Sequence, residues 1–213
     1  TIINAEIETR KWIEDRVGEI KWGDLNDFLD LRKELIKKDE SIEWDIGKLR
    51  KEIFKEKLKH IRPTSLRNQI VNDAFEIFID KRHLIKLYDG VEDSLKILSK
   101  KYELGVLTNG NADIYKFKIG RYFKFSISSL EAKDNKPNRS HFDKALEKLE
   151  GVKFDEMLHI GDHQINDIIG ANNLGINTLW FNNNNNEWEQ DSKKPDEFSS
   201  WKRLPEIIDK YYG

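Results

Sequence analysis

MLHIGDHQINDIIGA, Met157 to Ala171, is the stretch on which the reading of the whole chain turns. Leu158 and Ile160 make Met157–Ile160 a short apolar run, and Gly161 breaks it. Asp162 and Asp167 follow, and from Ile165 the apolar spacing becomes helical through Ile168 and Ile169. A buried strand, a tight glycine turn and a helix start deliver side chains to the carboxyl edge of a parallel sheet, where ligands bind in α/β folds. Two carboxylates placed across such a turn can converge on one hard cation. Mg²⁺ suits them, because it takes one or two protein carboxylates and keeps waters that a phosphate displaces. The alternative is an ordinary strand–turn–helix whose aspartates cap the helix.

Working outward, the residues after Asp89-Gly90 alternate strands with helices. Val91–Leu98 reads as a helix and Leu104–Leu107 as a strand ending in Thr108-Asn109-Gly110-Asn111. A helix is expected over 113–119, a strand over 123–127 and a polar loop over 128–138. A helix capped by Ser140 precedes the central stretch; a strand over 178–181 and a helix over 204–212 follow it. This pattern predicts a Rossmann-like parallel sheet with helices on both faces.

Residues 1 to about 88 read as helices throughout. Ile3, Ile7, Trp12, Ile13 and Val17 form one apolar face; Leu25, Phe28, Leu29, Leu35 and Ile36 form a second, interrupted by Arg32. Asp45 caps a third helix, and Pro63-Thr64 open a fourth with Leu66, Ile70, Val71, Ala74, Phe75 and Phe78 inward. Four helices with interleaved Lys and Glu predict a small bundle, so the division expected is 1–88 helical and 89–213 α/β.

The totals narrow the classes. In 213 residues, 37 Lys and Arg stand against 39 Asp and Glu, for a net charge of -2. That balance gives no bulk attraction to nucleic acid or membrane. Cysteine is absent, which excludes disulfides, thiol catalysis and thiolate metal sites. With a mean hydropathy of -0.73, no run of about 18 apolar residues and no signal-peptide pattern, the expectation is a soluble cytoplasmic protein, monomer or homodimer.

Three candidate elements fall near successive strand ends. The Thr108 hydroxyl, with the N–H groups of Asn109 and Gly110, can cradle a phosphate oxygen, or Thr108 can cap the helix that follows. Lys136, just before Pro137, can set a fixed cation against a developing phosphoryl charge, or be a loop lysine. Asp162 and Asp167 can hold the metal. Hydroxyl, cation and paired carboxylates along one sheet edge describe a phosphoryl-transfer site.

LGVLTNGN (104–111), Lys136-Pro137 and HIGDHQINDIIGA (159–171) resemble the second, third and fourth motifs of the haloacid-dehalogenase superfamily. The likeness is to its phosphatases with a helical cap inserted after the first motif. It implies that Thr108 binds the phosphoryl group, Lys136 neutralises it, and Asp162 and Asp167 serve Mg²⁺. It also implies a small phosphorylated metabolite as substrate. The paired carboxylates argue against the dehalogenase branch, which does not need Mg²⁺. His163 stands where many relatives carry a small hydroxyl residue.

One departure matters. The family opens with a strand ending in Asp-x-Asp, nucleophile first and general acid/base second, and no Asp-x-Asp occurs between Thr1 and Gly213. Asp24, Asp27 and Asp30 lie three apart on a predicted helix. The expectation is a chain without its first strand, unable to form an aspartyl-phosphate. In the family that strand lies between those matching the ones that end here at Thr108 and Gly161. Its removal leaves a gap of roughly 9.6 Å, to be closed by direct pairing, by another molecule or by upstream residues. The alternatives are a non-catalytic phosphate-binding or interaction protein, and a split enzyme completed by another chain.

Overall fold

The computed structural model describes residues 2–212. They form two compact units: residues through Lys86 with Gly110–Asp113, and Leu87–Asn109 with the residues from Ile114 onward.

The first unit is built from α1 (Ile2–Val17), α2 (Leu25–Lys38), α3 (Ile46–Lys57) and α4 (Thr64–Arg82). Local chemistry sets the starts. Asp24 accepts the N–H groups of Asn26 and Asp27 while Asp27 accepts that of Asp24, closing a capping box on α2. Asp45 Oδ1 accepts the Lys48 N–H at 2.8 Å and caps α3, and Pro63 opens α4. Ile13, Phe54, Leu58, Ile70, Val71 and Ala74 pack into the main core. Each of these side chains other than Ala74 contributes about 1.5–3 kcal/mol by leaving water.

The predicted faces need correcting. Ile3 and Ile7 are exposed, and α1 instead buries Ala5, Thr9 and Ile13, with the Thr9 hydroxyl satisfied by Ala5 O at 2.7 Å. Leu25, Phe28 and Leu29 are also exposed, so α2 buries only Leu35, in a satellite cluster with Ile42 and Leu49. Leu66 on α4 is exposed as well. No helix among the described residues is long and apolar enough to cross a membrane.

The second unit carries α5 (Val91–Leu98), β1 (Gly105–Thr108), β2 (Phe125–Ser128), α6 (Ser129–Ala132), α7 (Ser140–Lys148), β3 (Leu158–Gly161), α8 (Gly170–Asn172), β4 (Asn177–Phe181), β5 (Asp196–Phe198) and α9 (Leu204–Tyr211). All pairings are parallel: β1 with β2, and β3 with β4, which also takes β5. Among the described residues these make two separate sheets, so β1 and β3 do not pair with each other. Leu98 of α5 and Leu204 and Ile208 of α9 pack on Leu179, Phe181 and Phe198. Phe142 of α7 packs with Ala171 and Ile176, and Ala145 with Phe125 and Ile127.

Three local expectations fail here. The helix over 113–119 is replaced by two short 3₁₀ turns, Ile114–Lys116 and Lys118–Tyr122. A Cβ at Gly120 would lie 2.6 Å from Ile114 O, so the chain doubles back too tightly for an α-helix. The loop over 128–138 contains α6, capped by Ser128. Ser140 does not cap α7; its hydroxyl donates to Asp134 Oδ2 at 2.7 Å. β5 was not foreseen.

Candidate active site

At the C-terminal end of β3 the chain turns at Gly161 because nothing larger fits. A Cβ there would sit 2.3 Å from Asp167 Cγ. Residues Gln164–Ile169 then form a π-helical turn before α8. This widened turn puts Ile168 wholly inside and leaves Ile165 exposed. Its cap is His163, whose Nδ1 accepts the N–H groups of Ile165 at 3.2 Å and Asn166 at 3.1 Å. An imidazole in that role is outside the usual Ser, Thr, Asp and Asn set, and it occupies the position that the aspartates were alternatively expected to take.

Asp167 turns back into the protein. Its Oδ2 accepts the His163 N–H at 3.0 Å, and its Oδ1 lies 2.6 Å from Lys136 Nζ and 3.3 Å from His159 Nε2. Burial by itself raises the Asp167 pKa. The hydrogen bond from His159 and the charge of Lys136 outweigh it and hold the carboxylate well below the usual range. Lys136 is equally enclosed, its side chain 7% exposed. Its ammonium also donates to Leu107 O in β1 at 2.8 Å. Lys136 and Asp167 are therefore brought together, as a buried ion pair.

The Lys136 backbone is held by Asn109. The Asn109 Oδ1 accepts the Lys136 N–H at 2.7 Å and its Nδ2 donates to Lys136 O at 2.9 Å. The side-chain amide thus imitates a strand partner, a role the sequence reading, which used only the Asn109 N–H, did not find. Thr108 closes β1, and its carbonyl accepts from His141 Nε2 at 3.2 Å. Gly110 clusters with the first unit.

Asp162 differs from Asp167. Its side chain is exposed, and its carbonyl accepts the indole N–H of buried Trp180 at 3.0 Å, which pins the turn from the neighbouring strand. His159 and Trp180 were likewise missed by sequence reasoning. Their only signal was position in apolar strands.

These donors can be tested against a hard cation. Among the described residues no group of three or more His, Asp and Glu side chains gathers as a metal cluster. Mg²⁺ asks for less, one or two carboxylates and water. Asp162 fits as the exposed oxygen ligand. Asp167 does not fit as a direct one while both its oxygens serve Lys136, His159 and the His163 N–H.

Two buried imidazoles give the unit an acid sensitivity. Burial pushes His141 and His159 below the ordinary histidine value, against the opposing hydrogen bonds to Thr108 O and Asp167. Both are neutral in the folded protein at pH 7. The unfolded chain takes up these protons first, near pH 6.5. Their contribution is therefore complete above that pH and is lost as pH falls toward the folded values. The expected slope is up to about 1.4 kcal/mol per pH unit for each group. Urea midpoints at about pH 7 and about pH 5 check this, with His141→Gln expected to flatten the difference. An unchanged difference would remove His141 from the account.

The chain is 34% identical over 113 residues to the 5-amino-6-(5-phospho-D-ribitylamino)uracil phosphatase YigB of Escherichia coli, covering 53% of this chain and 47% of that one. It thus spans about half the length of that relative. It is 27% identical over 157 residues to the E. coli pyrimidine 5'-nucleotidase YjjG, covering 71% of this chain and 67% of that protein. Among solved structures, a 2-haloacid dehalogenase from Pseudomonas syringae pv. Tomato superposes with a TM-score of 0.90 at 28% identity, covering 99% of this chain and 91% of the other. The model of the haloacid dehalogenase-like hydrolases matches residues 27–181, nearly three quarters of the sequence, and the chain belongs to that family.

Proposed function

We propose that the chain is the phosphoryl-binding part of a Mg²⁺-dependent phosphatase acting on a small phosphorylated metabolite. The observation that carries this is Lys136. Its ammonium is fixed by Leu107 O and Asp167 Oδ1, and an ammonium has three donors, so one N–H remains for a phosphoryl oxygen. Thr108, with the N–H group of Asn109, receives the other oxygens. Asn109 positions Lys136, and Asp167 orients its ammonium. Asp162 would hold Mg²⁺, which when bound supplies positive charge for the phosphoryl oxygens.

Hydrolysis through an aspartyl-phosphate needs an attacking carboxylate, and residues 1–213 hold no Asp-x-Asp. These residues alone are expected to show no turnover of an aryl phosphate with Mg²⁺ above background. Turnover that Asp162→Asn abolishes would overturn the nucleophile argument. Calorimetry tests the metal separately. Asp162→Asn should weaken Mg²⁺ binding more than any single change in α1–α4, and equal affinity would remove Asp162 as ligand.

The 2-haloacid dehalogenase likeness favours a second reading, carbon–halogen hydrolysis. The exposed Asp162 beside a buried, lysine-paired Asp167 supports the phosphatase instead, because a halide leaving group gives a cation ligand nothing to do.

A further inference from the structure

Between β4 and β5 the chain runs through residues 182–195, whose sequence, NNNNNEWEQDSKKP, offers one large apolar side chain, Trp188. Burial alone cannot fix so polar a segment. Two devices do. At its root, the amide of buried Asn182 accepts the Asn186 N–H at 2.8 Å and donates to Asn186 O at 3.0 Å and to Glu197 Oε2 at 2.7 Å. Further along, the fastener is the side chain of Gln164, which opens the π-helical turn two residues after Asp162. Its Nε2 donates to Glu187 O at 2.7 Å, and its Oε1 accepts the Glu189 N–H at 3.1 Å and Gln190 Nε2 at 3.2 Å. Trp188, between these residues, stands edge-on to Trp180 with ring centroids 5.5 Å apart. Trp180 is the residue whose indole N–H holds Asp162 O at 3.0 Å. The turn that presents Asp162 is thus tied twice to one segment, through the Gln164 amide and through the pair of indoles.

We propose that Gln164 and Trp188 are positioning residues for the cation ligand Asp162, and that segment 182–195 is the brace through which they act; this rests on the Mg²⁺ reading of Asp162. The Asp162 side chain is exposed, on a turn rather than in a strand. A ligand on such a turn must be ordered when the cation arrives, and affinity falls by what that ordering costs. The bonds from the His163 N–H to Asp167 and from Ile165 and Asn166 to His163 Nδ1 lie within the turn and hold its shape. The bonds of Gln164 and Trp180 reach outside it and fix where it stands. An amide suits this task, because it donates and accepts without charge. A Lys or Glu at 164 would set a charge two residues from the ligand. Linkage makes the effect reciprocal: if the brace raises the affinity of the site, Mg²⁺ on Asp162 steadies the brace by the same factor.

Mg²⁺ alone is the probe, titrated by calorimetry into the 213-residue chain and its variants. Gln164→Met keeps the bulk and removes the amide, and it should weaken Mg²⁺ binding at least about fivefold, as should Trp188→Ala. Trp188→Phe keeps a ring against Trp180 and gives up the indole bond to Ser192 O, 2.8 Å long, so it should bind Mg²⁺ as the wild type does. A loss equal to that of Trp188→Ala would overturn the part given to the ring. Hydrogen exchange supplies the reciprocal readout: Mg²⁺ should slow the Glu189 amide in the wild type and not in Gln164→Met, and equal slowing in both overturns the coupling. Unchanged affinity in Gln164→Met overturns the proposal. A lower melting temperature with unchanged affinity is that same result, since it leaves Gln164 as a loop fastener and nothing more. If the wild type takes up no Mg²⁺, the cation reading fails and the metal-free protein decides the brace. There the Ile165 and Asn166 amides, bonded to His163 Nδ1, should exchange at least about fivefold faster in Gln164→Met. Unchanged exchange overturns the brace.

Discussion

Lys136→Ala is expected to destabilise the second unit by about 3–5 kcal/mol, because it leaves a buried carboxylate without its cation. The Asp167 side chain is 9% exposed and that of Lys136 7%, so water cannot replace the missing partner. The Lys136 ammonium also satisfies Leu107 O, which loses its donor in the same substitution. Asp167 retains the His163 N–H and His159, which places the loss within that range rather than beyond it. A buried ion pair is nonetheless weak evidence of net stabilisation, since desolvating two charges offsets most of their attraction. The double variant Lys136→Met with Asp167→Leu should therefore recover much of what Lys136→Ala loses. Urea denaturation of the three proteins decides it. A loss below about 1 kcal/mol for Lys136→Ala would mean that the pair is more hydrated than its burial implies. A double variant worse than the single would show that Asp167 is needed for the turn itself.

The same pair shows what the sequence could and could not disclose. Lys136, Asp162 and Asp167 were legible as residue types near strand ends, because β–turn–helix periodicity puts them there. Their division of labour was not. Spacing alone makes Asp162 and Asp167 equivalent, and what separates them is the direction each takes at the Gly161 turn. The π-helical geometry of Gln164–Ile169 has no periodic signature, since it depends on the His163 ring and the Asp167 carboxylate both bonding the turn's N–H groups. Asn109 was read through its backbone, whereas its amide group holds Lys136 across 27 residues of chain.

The fold was legible where apolar runs are long and uncharged. β4, with four consecutive buried residues, is an example. β5 was not, because Asp196 and Glu197 make it two-thirds acidic and only Phe198 reaches the core. On α1 and α2 the apolar residues are real but partly outward, so periodicity named the helices and misplaced their faces. The non-pairing of β1 and β3 has a plainer origin. Each is apolar enough to pair with anything, and pattern alone carries no information about which neighbour is present.

Gly161→Ala should be almost as damaging as loss of Lys136, though it adds a single methyl group. The new Cβ would lie 2.3 Å from Asp167 Cγ and 2.4 Å from its Cβ and Oδ2. Contacts that short cannot persist, so either β3 or Asp167 must move. Asp167 has little freedom to yield. The clashing atoms include its own Cβ, close to the backbone, and its carboxylate is anchored by Lys136 and the His163 N–H. β3 is held by its parallel register with β4, Ile160 opposite Leu179 and Gly161 opposite Trp180. Overpacking of this kind costs about 1–3 kcal/mol, and partial loss of the Lys136 contact adds to it. About 3 kcal/mol is the expected total, read as a fall in urea midpoint. Adding Asp167→Gly removes the clashing Cβ together with the carboxylate, so Gly161→Ala should cost far less in that background than alone. Equal costs in the two backgrounds would mean that the glycine is required by the backbone of the turn and not by the side chain folded over it.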